Sequence, residues 1–364
     1  MKRNDNQFME MALTLAAKGR GQTSPNPMVG AVIVKQGKIV GEAWHRRAGS
    51  DHAEVIALKQ AGKKAQGATL YVTLEPCAHY GQTPPCVDAV IEAGIKEIVI
   101  AMKDPNPLTN GKSIQKLKRK GLRVRTGVLE NEARELNEIF IKFKTSNKPF
   151  VAAKTAQTLD GKIATVSGRS KWITSVKTRV LARKIRDEFD AILVGINTVI
   201  EDNPRLNGFS RKKRLKKIVL DSSLRIKLTA NLFKGVKKDD CIIATTAKAS
   251  KTKIKQLERK GARIIICPSN KNGIRMKWLF RKLAEEKITS VLIEGGSKMV
   301  GGALAEKCVD KLYIYIAPLI FGSHSALGSI DGLRIKDVKK AILLEKRTIF
   351  KVDRDLLITG YPRY

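Results

Sequence analysis

Residues 73–86 read TLEPCAHYGQTPPC. The run leading into them, GATLYVTLEP, is apolar and β-branched and predicts a buried strand that stops at Pro76. Cys77 and Cys86 follow, with His79, Gly81 and two adjacent prolines between them. Two thiols so placed fit a disulfide, a structural zinc knuckle closed by His79, or two corners of a catalytic metal site whose remaining protein ligand lies elsewhere.

Composition argues against the disulfide. The five cysteines are an odd number in a chain of 364 residues, and Cys241, Cys267 and Cys308 are widely scattered, one of them after the apolar run ARIII. A secreted disulfide framework has neither property, so a reducing cytoplasm is expected. Upstream, His52-Ala53-Glu54 opens a predicted helix. One imidazole and two thiolates fill three corners of a zinc tetrahedron and leave the fourth for water. Zinc brings the pKa of such a water towards ~7, and a carboxylate that is not itself a ligand can then carry protons. Glu54, two residues beyond His52, is placed for that task, and a closed knuckle has no use for it.

The flanking sequence predicts an α/β sandwich. DNQFMEMALTLAAKGR reads as an amphipathic helix with Asp5 as N-cap, Phe8, Met11, Ala12 and Leu15 on its apolar face, and Gly19 as its stop; Glu10 interrupts any signal-peptide core. MVGAVIVKQGKIVGEAWH reads as a hairpin turning at Gln36-Gly37, HAEVIALKQAGK and VDAVIEAGI as helices, KEIVIAM as a strand, and SIQKLKRKGLRVRTGV as a helix followed by a strand. A charged helix and then the polar TSNKPF place a domain boundary that divides the chain into residues 1–146 and 147–364. From Phe150 the alternation restarts, with strands at DAILVGI, KKIVLD, CIIATT, RIIICP, SVLIEGG and KLYIYIAPLIFG. The last of these is the longest strongly apolar stretch and is about half of the ~20 residues a spanning helix needs, so no membrane segment is expected.

His-x-Glu followed by Pro-Cys and a second Cys resembles the zinc-dependent cytidine deaminase superfamily. The eight residues between the thiols, where that superfamily has two, resemble the deaminase of riboflavin biosynthesis, as do TSPNPMVGAVIV (23–34) and KDPNPLTNGKSI (103–114). The resemblance covers about residues 5–145 and implies that His52, Cys77 and Cys86 bind zinc and that Glu54 shuttles a proton from water to the departing amine. It also implies that Asn26, His45, His79, Asp104 and Asn106 line a pyrimidine and ribose-phosphate pocket. A plain surface strand end at His45 and turn-shaping at Asp104 and Asn106 are the alternatives.

In the second half, SVLIEGGSKMVGGALAEK (290–307) is a strand, a glycine pair and a helix. Amides at such a helix start can hold a dinucleotide phosphate, and a tight strand-to-helix turn is the plainer reading. AAKTAQTLDGKIA (152–164), SGRSKWIT (167–174), GINTVIEDNPRL (195–206), VLDSSLRI (219–226) and YIAPLIFG (315–322) resemble the reductase domain of the same pathway, whose fold is similar to dihydrofolate reductase. The whole chain therefore resembles the bifunctional deaminase–reductases of riboflavin biosynthesis: a cytidine-deaminase-like α/β/α sandwich, then a dihydrofolate-reductase-like α/β domain. That resemblance implies NADPH at Ala156, Trp172, Thr198, Asp202, Ser222 and the run Gly296, Ser297, Lys298, Met299, Val300, Gly301 and Gly302. It implies substrate contacts at Ser170, Arg186, Leu206 and Glu294, with Lys154 a further candidate, pyrimidine ribotide phosphates as substrates, and a homo-oligomer. Trp172 is alternatively a core aromatic, and Arg186 a solvated helix residue. One departure stands out: Phe209 occupies the place where the family usually has an arginine for the substrate phosphate, with Arg205 or Arg211 as substitutes.

The net charge of +36 keeps a rival open. Residues 1–146 carry 23 basic and 14 acidic side chains, whereas residues 147–364 carry 47 and 20, with a dense run RKKRLKK at 211–217. A nucleic-acid base deaminase with a basic binding domain accounts for that charge, but leaves the glycine-rich turn and AQTLDGKIA without purpose. Aromatic residues are only 5% of the chain, which leaves few platforms for base stacking, and no nucleic acid is expected. A zinc-stabilised scaffold without catalysis is the third reading, and it leaves Glu54 idle.

Overall fold

The structure, a computed structural model, describes residues 5–78, 85–107, 109–210, 214–235, 237–270 and 273–364. The chain forms two compact units, Met1–Asn147 and Lys148–Tyr364. In the first, the elements are α1 (Asp5–Ala17), β1 (Gly30–Lys35), β2 (Lys38–Trp44), α2 (Ala53–Ala61), β3 (Thr69–Leu74), α3 (Cys86–Glu92), β4 (Glu97–Met102), α4 (Lys112–Arg119), β5 (Arg123–Thr126), α5 (Glu130–Leu136) and α6 (Glu138–Ser146).

Five strands form one sheet in the order β2-β1-β3-β4-β5. The β1–β2 hairpin turns at Gln36 and Gly37, both with positive φ, and β3, β4 and β5 run parallel. Side chains on the pleat alternate between faces, and here the faces take different helices. A Cβ on Gly30 would stand 1.9 Å from the Ala12 carbonyl of α1, and one on Gly41, opposite Ile33, 2.3 Å from the Ala57 carbonyl of α2. The two helices thus press on opposite faces of the hairpin, as a three-layer sandwich requires. Asp5 begins α1, and its carboxylate accepts from Tyr71 Oη at 2.9 Å and pairs with Arg125. The charged stretch after β5 is two helices, not the single one expected. Asn137 separates them, and its side chain clamps Met28, accepting from Met28 N at 2.8 Å and donating to Met28 O at 2.9 Å.

The second unit contains β6 (Phe150–Thr158), α7 (Val176–Ile185), β7 (Ala191–Gly195), α8 (Ile196–Asp202), β8 (Lys216–Leu220), β9 (Cys241–Thr245), α9 (Lys251–Arg259) and β10 (Ala262–Ile266). It continues with β11 (Ser269–Asn270), β12 (Gly273–Ile274), α10 (Met276–Glu285), β13 (Ser290–Glu294), α11 (Ser297–Ala305), β14 (Lys311–Ala317), β15 (Leu343–Val352) and β16 (Asp355–Arg363). Nine strands form a sheet in the order β10-β9-β8-β7-β13-β6-β14-β16-β15. All neighbours are parallel up to β14, and the last two strands close antiparallel.

Strands buried on both faces read as continuous apolar runs, and AILVG of β7 is such a run. Ala191 and Leu193 share a core with α10 and α11, while Ile192 and Val194 share the other with Val199 of α8 and Leu257 of α9. Burying one such Leu or Ile contributes about 1.5–3 kcal/mol. The chain steps outward from β7 to β10 and then returns, through β13, to lie between β7 and β6. In sheets with such a reversal of strand order, ligands usually bind at the carboxyl ends of the central strands.

Candidate active sites

In the first unit three chain segments meet at the carboxyl end of β3. His52 occupies the N-cap of α2 without capping it, so its ring is free to face Cys77, which follows β3, and Cys86, the first residue of α3. His52 Nδ1 lies 2.8 Å from Cys86 Sγ and 3.7 Å from Cys77 Sγ, and Cys86 N donates to Cys77 Sγ at 3.2 Å. The three ligand atoms all lie within 4.8 Å of one another, the only such His, Cys or carboxylate cluster among the described residues.

The two thiols act on each other, lowering Cys77 and raising Cys86; burial adds to the rise at Cys86, and His52 helps lower Cys77. The hydrogen bond from Cys77 raises His52. A shared proton of this kind must leave when a metal takes both sulfurs. Glu54, on the first turn of α2, is buried, and burial lifts its carboxyl to about 7. Its Oε2 is buried with no hydrogen-bond partner among the described residues. An orphaned carboxylate oxygen beside a Cys, Cys, His cluster fits a zinc site with an open corner for water, and it does not fit a closed structural knuckle.

A cavity of about 200 Å³ opens over this cluster, lined by His52, Glu54 and Cys77 together with Asn26, His45, Asp104 and Asn106. His45 Nδ1 faces the Asp51 carbonyl at 3.3 Å, which can only accept, so Nε2 is left to accept from Asn26 Nδ2 at 3.2 Å. That contact directs the Asn26 carbonyl elsewhere. Burial lowers the pKa of His45 and keeps the ring neutral. Asp104 is occupied within its loop, accepting from Asn106 N at 2.9 Å and Thr109 Oγ1 at 2.7 Å. His79 lies outside the described residues.

Glu75, which no sequence argument picked out, organises this wall. Its carboxylate accepts from Asp104 N at 3.1 Å, Gly111 N at 3.0 Å, Ser113 Oγ at 2.7 Å and Ile114 N at 3.4 Å. Lys144 and Phe140 of α6 also line the cavity and were likewise missed. The only sequence signal for Glu75 is its place beside Pro76-Cys77.

In the second unit, Lys154 of β6, Glu294 at the end of β13 and Arg186 after α7 form one cluster. Arg186 grips Glu294 with two parallel bonds of 2.8 Å and donates to the Asn207 carbonyl at 3.0 Å, while Lys154 Nζ lies 3.5 Å from Glu294 Oε2. Burial alone would raise the Glu294 carboxyl, but Lys154 and Arg186 override it and hold it at about 2. Arg186 is therefore not a solvated helix residue. Thr198, Ser222 and Gly296 follow β7, β8 and β13, and Ala156 lies on β6, so this part of the expected NADPH set shares the carboxyl edge of the sheet.

The turn itself is built by Gly295 and Gly296, both at φ 80, where a side chain would be strained and a Cβ on Gly295 would stand 3.2 Å from Thr198 Oγ1. Such a bare turn at a helix start, with the first amides of α11 not yet spent, fits a dinucleotide phosphate.

Other parts of the expected run have different work. A Cβ on Gly301 would meet the Asp331 carbonyl at 1.7 Å and one on Gly302 would meet Met276 Cε at 2.9 Å, so these glycines admit protein neighbours. Met299 and Val300 are core residues, Ser297 is buried, and the Leu206 side chain is buried with φ 53; ligand contact at these positions is left to the backbone. Trp172 is 65% exposed under Arg179, not a core aromatic. Ser170 is also exposed, and Asp202 pairs with Lys171 at 3.1 Å. Phe209 is exposed with Lys184 Nζ 5.3 Å from its ring centroid, so a cation stands beside that position; Arg205 is exposed and Arg211 lies outside the described residues.

A zinc-dependent deaminase joined to a dihydrofolate-reductase-like oxidoreductase is the class these folds and sites define. Residues 2–102 match the cytidine and deoxycytidylate deaminase zinc-binding region, and residues 149–358 match the RibD C-terminal domain. The chain is 44% identical over 362 residues to the riboflavin biosynthesis protein RibD of Aquifex aeolicus, covering 99% of each chain. It superposes on RibD of Acinetobacter baumannii with a TM-score of 0.89 at 36% identity, covering 99% of both chains. It also matches a Thermotoga maritima protein described as a diaminohydroxyphosphoribosylaminopyrimidine deaminase and 5-amino-6-(5-phosphoribosylamino)uracil reductase, with a TM-score of 0.84, 36% identity and 99% of both chains covered. The chain belongs to the RibD family, the bifunctional deaminase–reductases of riboflavin biosynthesis, and its cofactors are zinc and NADPH. It acts on small pyrimidine substrates, and no helix among the described residues is long and apolar enough to cross a membrane.

Proposed function

We propose that residues 1–146 deaminate 2,5-diamino-6-(5-phosphoribosylamino)pyrimidin-4(3H)-one and that residues 147–364 reduce the ribosyl group of the resulting 5-amino-6-(5-phosphoribosylamino)uracil to ribityl. The observation that carries the first half is the orphaned Oε2 of Glu54, buried against the His52, Cys77 and Cys86 cluster at the cavity floor. His52, Cys77 and Cys86 hold zinc, which supplies a water of lowered pKa at neutral pH. Glu54 takes a proton from the attacking water and delivers it to the departing amine; burial keeps its carboxyl able to hold a proton near neutrality. Asn26, oriented by neutral His45, offers its carbonyl to the amino and ring N–H groups of the pyrimidine. Asp104 and Asn106 line the same cavity, and His79 is a further candidate for substrate contact.

In the second unit NADPH supplies hydride to the first sugar carbon in its ring-opened form. Ala156, Trp172, Thr198, Asp202, Ser222 and the backbone from Gly296 to Gly302 hold the cofactor. Glu294 fixes Lys154 and Arg186 as cations; Arg186 spends its fork on Glu294, so Lys154 is the donor left for sugar hydroxyls, with Ser170 and Leu206 at the edge of the pocket.

Small ribotides, not nucleic acid, are the substrates. The dense basic run supports this: Arg214 and Lys216 pair with Asp240 at 2.5 and 3.4 Å, and Lys217 is buried with Nζ 3.2 Å from the Leu232 carbonyl. A cytoplasmic homo-oligomer is the assembly, with edge strand β15 and its exposed Ile349 and Phe350 as the candidate self-contact.

Incubating zinc-loaded protein with the ribotide, with and without NADPH, tests the reading by product mass. Loss of one amino group to oxygen without NADPH, and a further two-hydrogen gain with it, are expected. Glu54→Gln lowers ammonia release by about 10²–10⁴-fold while zinc content and NADPH oxidation on deaminated substrate persist. Ammonia release at the normal rate from Glu54→Gln refutes the first half, and faster deamination of RNA or single-stranded DNA than of the ribotide restores the rival.

A further inference from the structure

The cavity over Glu54 has chemistry at its exposed side that zinc and pyrimidine recognition leave unused. Of its lining residues among those described, Lys144 is the one lysine or arginine. Lys144 makes no ion pair among the described residues, and its ammonium lies 5.8 Å from the ring centroid of Phe140, which is buried. The two other carboxylates on the wall are already engaged, Glu75 by four donors and Asp104 by two. Lys144 is exposed, whereas Glu54 and Cys86 are buried. Lys144 acts on Asp104 electrostatically from a distance, so the cavity has a buried carboxyl at its floor and, near solvent, one ammonium that no ion pair among the described residues takes up.

We propose that Lys144 of α6 is the specificity-determining residue of the deaminase site, receiving the phosphate monoester of the ribotide and so selecting the phosphorylated substrate. This rests on the cavity being the deaminase site. A substrate whose ring reaches Glu54 carries its charge on the far end of the ribose, which lies towards the open side. A dianion there needs a partner, and an ammonium held over an aromatic face meets it as a point charge without requiring a fixed angle. Being solvent-exposed, the contact is screened by salt.

The test is steady-state ammonia release by the full zinc-loaded chain over a series of salt concentrations. Lys144→Met is expected to raise KM for the ribotide about tenfold at low salt, leave kcat within about twofold, and flatten the rise of KM with salt. Lys144→Arg restores both KM and its salt dependence. Inorganic phosphate, competing with the ribotide in the parent protein, loses about tenfold in potency against Lys144→Met. An unchanged KM and salt slope in Lys144→Met, or a fall in kcat at constant KM, overturns the assignment. Glu54→Gln, measured in parallel, separates the two readings: if it still releases ammonia the cavity is not the deaminase site, and if it is inactive while Lys144→Met keeps the parental KM, only the phosphate assignment fails.

Discussion

Glu54 and Glu294 are both buried glutamates at the working end of a sheet, and their surroundings drive them in opposite directions. Glu54 has an oxygen with no partner among the described residues, and burial lifts its carboxyl to about 7. Glu294 is equally enclosed, yet two cations hold its carboxyl at about 2. Burial alone therefore does not decide what a carboxylate can do. The neighbours decide, leaving one carboxyl able to hold a proton near neutrality and making the other a fixed anion that pins two cations.

The largest effect that sharpens this contrast is on stability. Glu294→Gln leaves Lys154 and Arg186 facing each other without an anion and is expected to cost about 3 kcal/mol, read from urea unfolding of the second unit by tryptophan fluorescence. Glu54→Gln, which removes no ion pair, is expected to change stability by less than about 1 kcal/mol. Equal losses from the two substitutions break the comparison.

Acid should separate the pair in the same way. The Glu294 carboxyl is held below its ordinary 4.5, so its contribution is complete above that pH and disappears as pH falls through about 2. The urea midpoint of the second unit is expected to fall across that window in the parent protein, and less steeply in Glu294→Gln. Identical slopes count against the cluster as a source of stability. A smaller effect tests the wall beside Glu54: Glu75→Gln weakens acceptance from three backbone amides and a hydroxyl, and is expected to raise KM for deamination about tenfold with kcat little changed. A loss confined to kcat points instead to a direct role in proton transfer.

Much of the fold was legible because its signals are local. The hairpin at Gln36-Gly37 and the apolar runs of β4, β7 and β13 announce themselves by composition and turn residues. The terminal β15–β16 hairpin did not, because LLEKRTIFKV is almost wholly exposed and lacks the alternation that marks a half-buried strand. At the site, the residues that chemistry demands by type, namely His52, Glu54, Cys77 and Cys86, could be picked out as candidates. Glu75 and Lys144 could not, since their importance lies in contacts that only folding creates. A glycine does not say which neighbour approaches it: Gly301, expected beside the cofactor, also admits the Asp331 carbonyl.

The clamp of Asn137 on Met28 spans 109 residues of sequence and fixes the segment that carries Asn26 and Pro27 into the cavity wall. During synthesis, His52, Cys77 and Cys86 all leave the ribosome well before Asn137 does. A nascent chain thus possesses the whole His-Cys-Cys cluster for some time before the clamp can form, and the last helices of the unit serve as the fastening that gives the pocket above it a fixed shape.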